Sequence, residues 1–321
     1  MLAMGKILTY SGRSTDSSLY WALVTTRNRS EMLQQTLNSI LSQTIPPSSI
    51  CVVNDGSIDD TPLILEQMMQ RNPEKIIAIT LKDKGYDIRR VVKNLNLGLK
   101  AMEEKESAAE YVMISGDDCI YPQEYSERIL ERMNRNQNIK VASGDIEGLN
   151  PDAYPRGPGR FIRSDFLREI GGYFPPYYGY EGWIYHKALQ LGYSVENFSD
   201  IRYRHLCEMG RQHKFTDWGL SMKCLGYNPF EVIIRCFKYP LIDRRVSVGY
   251  MRVLFDYFIY SLVAKAKRDP YYHLFDEDFR TYMAQKQKHS LIYRARHFAR
   301  ARQLLGSRSA NTAKIRLPEA S

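Results

Sequence analysis

Short apolar runs alternate with longer stretches of helical periodicity along the first half of the chain. The apolar runs are residues 20–25, 50–53, 76–81 and 111–115. Runs of this length that are bounded by polar clusters are typical of strands. Because they are apolar throughout instead of alternating, we expect strands that are buried on both faces, as in a parallel sheet.

Helical spacing fills the segments between these runs. In the segment that begins at Ser30, Leu33 and Leu37 lie on one stripe, and Ser30 is predicted to cap the helix. A second stripe follows Asp60, and residues 91–104 form a third predicted helix. Strands that alternate with helices indicate βαβ units. The sequence therefore predicts an α/β fold with a mostly parallel sheet flanked by helices.

Polar clusters follow three of the apolar runs, at residues 25–28, 54–57 and 116–118. In parallel sheets, ligands bind beyond the carboxyl ends of the strands, so the fold would gather these clusters along one edge. A single cluster of this kind is an ordinary polar strand end. Three of them, two rich in acids, predict a shared binding site.

Two phosphate-binding motifs are missing from the sequence, which argues against two classes of protein for this site. Neither G-x-G-x-x-G after the first strand nor G-x-x-x-x-G-K-[ST] occurs, which argues against a dinucleotide dehydrogenase and a P-loop NTPase. A phosphate site without these motifs commonly uses Mg²⁺ or Mn²⁺ held by carboxylates. Asp117 and Asp118 offer such ligands. Alternatively, they cap a helix that begins near Pro122.

Composition indicates an ordinary globular protein, since 44% of the residues are hydrophobic and 25% are charged. The five cysteines are scattered without C-x-x-C spacing, which argues against a disulfide framework or a zinc site and favours a reducing compartment. Charged residues interrupt the N-terminus, and no run of about 18 apolar residues occurs, so we expect neither a signal peptide nor a membrane span. The expected location is the cytoplasm.

Positive charge is concentrated in the C-terminal third of the chain. Residues 229–321 carry 18 Lys and Arg against 8 Asp and Glu, whereas residues 1–228 carry 27 against 28. A neutral body with a basic appendage favours an anionic surface or partner. One interpretation is that helices in 229–305 lie on an anionic membrane surface, at the inner face of the cell membrane. The alternative is a helical hairpin that packs on the rest of the protein and exposes a basic face.

Five motifs occur in the order typical of family 2 glycosyltransferases. They are NDGSIDDT at 54–61, NLNLGLKAM at 94–102, GDDCIYP at 116–122, GPGRFIRSDFLREIGGY at 157–173 and YEGWIYHKALQLGY at 180–193. Residues 20–206 thus resemble this family, including members that build cell-envelope polysaccharides. The resemblance implies a GT-A fold and an inverting transfer of a sugar from a nucleoside diphosphate donor to a hydroxyl of a glycan or lipid-linked acceptor.

The resemblance also implies roles in donor binding. Thr25 and Asn28 would line the nucleotide pocket, and Asp55 would accept a hydrogen bond from the base. Asp117 would lie by the ribose and the metal. Asp118 would ligate the divalent ion, Mn²⁺ or Mg²⁺, that bridges the diphosphate.

Three further residues take roles from the same resemblance. Glu181 would accept the proton of the acceptor hydroxyl; alternatively, it is a first-turn glutamate favoured by the helix dipole. His205 would complete the metal or diphosphate site; alternatively, it is a structural histidine. Arg163 would contact the diphosphate or the acceptor; alternatively, it is a solvated strand arginine.

The predicted organisation has four parts. They are an N-terminal leader at 1–18, a GT-A catalytic domain at 19–228, a basic helical region at 229–305 and a disordered tail at 306–321.

Three other functions are alternatives to transfer of a sugar. A sugar-nucleotide pyrophosphorylase would carry an N-terminal Gly-rich phosphate loop, which is missing. A nucleic-acid-binding protein would use the basic third, but that region shows no recognition motif and no aromatic residues at base-stacking spacing, so no nucleic acid is expected. A non-catalytic family member that acts as a binding subunit is the third alternative.

Overall fold

The computed structural model describes residues 19–87, 89–105, 109–149, 151–175, 179–207, 215, 218–242, 247–262 and 275–288. The chain divides into two compact units, Met1–Lys214 and Phe215–Ser321. The sequence placed this division later, after residue 228. The predicted leader at 1–18 and the predicted tail at 306–321 lie outside the described residues.

The first unit is built from alternating strands and helices. In chain order they are β1 (Tyr20–Thr26), α1 (Ser30–Leu41), β2 (Ser49–Asn54), α2 (Thr61–Arg71), β3 (Ile76–Thr80), α3 (Arg90–Lys105), β4 (Tyr111–Ser115), β5 (Cys119–Ile120), α4 (Tyr125–Arg135), β6 (Ile139–Ile146), β7 (Arg160–Arg163), α5 (Ser164–Glu169), α6 (Tyr180–Gln190) and β8 (Ser194–His205).

The strands form one sheet in the order β3-β2-β1-β4-β7-β6-β8-β5. Strands β1 to β4 pair in parallel, and β6 pairs in parallel with β8. The antiparallel pairs are β4 with β7, β6 with β7, and β5 with β8. The predicted α/β fold with a mostly parallel sheet flanked by helices is confirmed.

The core of this unit explains the continuous apolar runs. Every residue of β2 and of β4 is buried, as expected for central strands that helices cover on both faces. Helix α3 packs closely on β1 and β2 at Gly98, where a methyl group would lie 3.3 Å from Cδ2 of Leu23 and 3.5 Å from Sγ of Cys51. Glycine at this position brings α3 close to the sheet.

The start of α1 differs from the prediction. Arg29 occupies the N-cap position without a side-chain cap, and Ser30 is the first helical residue. The loop before α2 satisfies the free amides instead, because Thr61 Oγ1 accepts from Arg29 N at 3.2 Å and Asp59 Oδ2 accepts from Ser30 N at 3.3 Å. A cap supplied by another part of the chain leaves no local signal in the sequence.

The second unit is helical in the part that is described. It contains α7 (Trp218–Cys224), α8 (Pro229–Ile242) and α9 (Ser247–Leu262), and residues 277–288 are also helical. Helix α7 approaches α9 at Gly219, where a methyl group would overlap the carbonyl oxygen of Val253. Among the helices that the structure describes, none combines the length and the apolar character needed to cross a bilayer.

Candidate functional site

The carboxyl ends of three parallel strands meet at one edge of the sheet. Strands β1 and β2 pair Thr26 with Asn54. Strands β1 and β4 pair Val24 with Ser115. The three polar clusters that follow these strands therefore emerge side by side, as the sequence predicted.

Asp117 and Asp118 follow β4 and are both buried, each with 8% of its surface exposed. Arg29 lies between them, with Nη1 at 2.5 Å from Oδ2 of Asp118 and at 3.5 Å from Oδ1 of Asp117. Burial raises the pKa of Asp117 to about 6, against the opposing effect of Arg29. The pair is not a helix cap, because α4 begins at Tyr125 with Glu124 at its N-cap.

His205 lies beside Asp118 because β5 and β8 pair Cys119 with His205. Nδ1 of His205 is 2.6 Å from the carbonyl oxygen of Cys207, an acceptor, so Nδ1 carries the proton. The other ring nitrogen, Nε2, lies 3.4 Å from Oδ1 of Asp118. An imidazole fixed through its other nitrogen is the usual arrangement of a metal-ligating histidine.

These residues fit a divalent cation. Asp118, Cys119 and His205 each offer a ligand atom, and those atoms lie within 4.8 Å of one another. Two ligands at about 2.1 Å from one ion are about 3 Å apart, close to the separation of the Asp118 and His205 atoms. Burial and the neighbouring acids raise the pKa of the Cys119 thiol well above its usual value, so Cys119 stays protonated and is a poor ligand.

Asp55 follows β2 and is held by Arg90 from the first turn of α3. Arg90 Nε donates to Oδ1 of Asp55 at 3.0 Å, and Arg90 Nη2 donates to Oδ2 at 2.8 Å. This bidentate pair fixes the plane of the carboxylate. The loop is further fixed by Arg27, which donates to the carbonyl oxygen of Gly56 at 2.9 Å and pairs with Asp83 at 2.6 Å.

Thr25 and Asn28 lie at the end of β1, on the same edge. Thr25 is half-buried and pairs with Val53. Asn28 adopts a positive φ of 53°, its backbone N–H donates to Ser57 Oγ at 2.9 Å, and its side-chain Oδ1 accepts from Ile58 N at 2.8 Å. Asn28 therefore ties the loop after β1 to the loop after β2.

Glu181 stands in the first turn of α6 with its side chain exposed. A methyl group at Gly157 would lie 2.6 Å from Oε1 of Glu181, and one at Gly116 would lie 3.8 Å from Cγ of Pro158. The carboxylate thus borders the segment 157–158, which also borders the turn that carries Asp117 and Asp118. Glu181 belongs to the same side of the sheet as the acid pair.

The structure does not bring Arg163 to this site. Arg163 pairs with Tyr111, the first residue of β4, whereas Asp117 follows the last residue of that strand. Its guanidinium is buried and donates to the carbonyl oxygens of Met133 at 2.7 Å and Ile139 at 3.2 Å. We therefore leave Arg163 out of the candidate site, because β7 runs antiparallel and carries it to the opposite edge.

Two residues of the site were missed by the sequence analysis. Arg29 and Arg90 each pair with acids that are distant in the chain, so no motif marks the contact. The signal that could have identified these two arginines is the need to balance the charge of the buried acids. Buried acids need cations, and Arg29 directly follows one of the polar clusters that the fold was expected to gather.

Comparison with known proteins identifies the family of this chain. The model of the family described as "Glycosyl transferase family 2" matches residues 21–190. The poly-beta-1,6-N-acetyl-D-glucosamine synthase of Staphylococcus epidermidis is 27% identical over 118 residues, which are 37% of this chain and 26% of that relative. The chain therefore matches about a quarter of the length of this curated relative.

Solved structures show the same fold. The mannosyltransferase PcManGT from Pyrobaculum calidifontis, in complex with GDP-Man and Mn²⁺, gives a TM-score of 0.50 at 16% identity over 81% of this chain and 74% of its own. S. aureus TarS in complex with UDP-GlcNAc gives 0.50 at 17% identity over 83% and 82%. The expected GT-A fold is confirmed. Since the family model covers more than half of the sequence, the chain belongs to glycosyl transferase family 2.

Proposed function

We propose that this protein transfers a sugar from a nucleoside diphosphate donor to a hydroxyl of a glycan or lipid-linked acceptor. The observation that carries the proposal is the buried pair Asp117 and Asp118 at the carboxyl edge of the sheet, with Arg29 and His205 beside it. The donor class is supported by the two similar structures, which are complexes with GDP-Man and with UDP-GlcNAc. A glycan acceptor is supported by the curated relative, a synthase of a polysaccharide.

The proposed cofactor is a divalent cation, Mn²⁺ or Mg²⁺. Asp118 and Nε2 of His205 would hold it, and Asp117 would contribute an oxygen or meet the ribose. When bound, the ion supplies Lewis-acid stabilisation of the departing diphosphate. In the absence of the ion, Arg29 supplies the positive charge beside the two acids. A divalent cation at this position agrees with the Mn²⁺ in the structure of the similar mannosyltransferase.

The donor base would lie against the ends of β1 and β2. Asp55 accepts a hydrogen bond from a ring N–H in this proposal, and the bidentate contact with Arg90 orients its carboxylate for that contact. Thr25 and Asn28 line the adjoining wall. A carboxylate whose orientation is fixed before binding costs less entropy when the base arrives.

Glu181 is the proposed general base. Its carboxylate is exposed, so it can reach an acceptor that arrives from solvent, and it lies on the same side of the sheet as the acid pair. The carboxylate takes the proton of the acceptor hydroxyl while the oxygen attacks the anomeric carbon. A single displacement of this kind inverts the configuration at that carbon.

Donor binding tests the proposal directly. Thermal unfolding is measured with a panel of nucleoside diphosphate sugars, with Mn²⁺ or with EDTA, for the wild type and for Asp118→Asn. We expect one donor to raise the Tm of the wild type only when Mn²⁺ is present, because binding to the native state alone stabilises it. Asp118→Asn should lose the part of the rise in Tm that depends on Mn²⁺.

Two outcomes would contradict the proposal. Absence of stabilisation by every nucleoside diphosphate sugar would overturn the donor class. Equal stabilisation in Mn²⁺ and in EDTA would overturn the role of the metal while leaving the donor class intact. Arg132→Met serves as the control variant, since Arg132 pairs with Asp200 on an exposed surface and is not part of the proposed site.

A further inference from the structure

Exposed apolar side chains are concentrated on two helices of the second unit. Of the fifteen large apolar residues that are exposed in the described part of the chain, eight lie on α8 and α9. We call them the apolar stripes: Phe230, Ile234, Phe237 and Leu241 on α8, and Val248, Met251, Phe255 and Ile259 on α9. Concentrations of this size mark interaction surfaces in soluble proteins.

Helical spacing places each set of four on a single face. Intervals of three and four residues keep side chains on one side of a helix. The opposite faces are buried, with Val232 and Cys236 on α8 and with Val253 and Tyr257 on α9. Each helix is therefore apolar on two faces, and only the inward face is accounted for by the packing of the unit.

Basic residues accompany the stripes. Lys238 is exposed on α8 beside Phe237. In the sequence, Asp243, Arg244 and Arg245 follow α8, and a run containing Lys265 and Lys267 follows α9. The 18 Lys and Arg against 8 Asp and Glu in residues 229–321 give this part of the chain a strong positive excess. Apolar helix faces accompanied by basic residues are typical of helices that lie on anionic lipid surfaces.

A second copy of the chain is a poorer occupant of the same surface. A two-fold dimer places the same patch of each copy against the other. Such a dimer would place the exposed Lys238 of each copy at the interface, where like charges oppose association. An anionic lipid surface instead complements both the apolar and the basic components.

We propose that the apolar stripes of α8 and α9 bind an anionic lipid surface, with their apolar side chains inserted at the boundary between headgroups and acyl chains. This proposal is independent of the proposed function, since it uses no residue of the candidate site. It assigns a binding role to side chains that the packing of the second unit leaves exposed.

Vesicle flotation with the full-length protein tests the proposal. The probes are vesicles of phosphatidylglycerol with phosphatidylethanolamine, and vesicles of phosphatidylcholine alone. We expect the wild type to float with the anionic vesicles, less so at high salt, and to float weakly with phosphatidylcholine. Phe237→Ser and Phe255→Ser should each lower the partition coefficient by about tenfold, because each removes a large apolar side chain from the lipid contact.

The variants are chosen so that folding is not in question. Phe237 and Phe255 are 61% and 57% exposed, so their replacement leaves the buried faces of both helices intact. Leu63→Ser on α2 is the matched control, since Leu63 is also exposed but lies outside the stripes. This control should float as the wild type does.

Three results would overturn the proposal. The wild type could stay at the bottom of the gradient with anionic vesicles, or the double variant that combines Phe237→Ser with Phe255→Ser could float as well as the wild type. Sedimentation could also show a dimer that the double variant converts to a monomer, without vesicle binding by either protein. That last result would assign the stripes to contact between two copies.

Discussion

Asp117 and Asp118 are adjacent in the chain and buried at the end of a central strand, so their charges need compensation. The sequence predicted a divalent cation beside the pair, with a helix cap as the alternative, and the polar motif GDD located the pair at a strand end. It did not predict Arg29, because this guanidinium reaches the acids from the loop after another strand. Contacts between residues so far apart in the chain depend on the fold and leave no spacing signal.

Arg29 should compete with a divalent cation for the acids. Arg29→Met removes a positive charge 2.5 Å from Asp118 and 3.5 Å from Asp117, so Mn²⁺ should bind about tenfold more tightly in the absence of nucleotide. Electron paramagnetic resonance of free Mn²⁺ measures this affinity at pH 8, above the pKa of about 6 of Asp117. Unchanged or weaker binding in this variant, with Arg132→Met as the control, would show that Arg29 does not occupy the cation position.

At the scale of elements, the sequence predicted the first four strands and the helices between them, because each is a long or strongly patterned segment. It did not predict that β7 is antiparallel, since this strand has only four residues and two of them are arginines. Both arginines are buried, and each donates to carbonyl oxygens of neighbouring segments. A buried strand can therefore contain arginines when their hydrogen bonds are made inside the protein. Such a strand has no continuous apolar run by which the sequence could identify it.

Gly98 should be sensitive to any larger side chain. The branched side chain in Gly98→Val would press on Leu23 and Cys51, which lie 3.3 and 3.5 Å from the position of a first carbon atom. We expect the free energy of unfolding to fall by about 1–3 kcal/mol, as measured by urea denaturation. Leu97→Val, at a more exposed position on the same helix, should change it by about 0.5 kcal/mol or less. Equal effects of the two substitutions would refute tight packing of α3 at Gly98.

At the scale of the whole molecule, the two proposals use different units. The candidate site lies within Met1–Lys214, and the apolar stripes lie within Phe215–Ser321. Composition predicted this separation of roles through the location of charge, since the positive excess begins only in the C-terminal third. The sequence could not locate the stripes, because exposure of an apolar face becomes known only when the opposite face is seen to be buried.

The two roles should therefore be separable by mutation. Phe237→Ser combined with Phe255→Ser should leave the donor-induced rise in Tm unchanged, because no residue of the donor site is altered. Asp118→Asn should in turn leave vesicle flotation unchanged. Measuring both properties for both variants tests this independence, and a loss of both properties in either variant would contradict it.

The pairing of Cys119 with His205 has a consequence for the synthesis of the protein on the ribosome. Asp118 is synthesised 87 residues before His205 (205 − 118). At an elongation rate of about 5–20 residues per second, Asp118 is part of the nascent chain for roughly 4–17 s before the ribosome adds His205. The span that matches the family model ends at residue 190, so a nascent chain of that length has every acid of the site and lacks its imidazole. Synthesis of β8 therefore completes the set of residues proposed for the site.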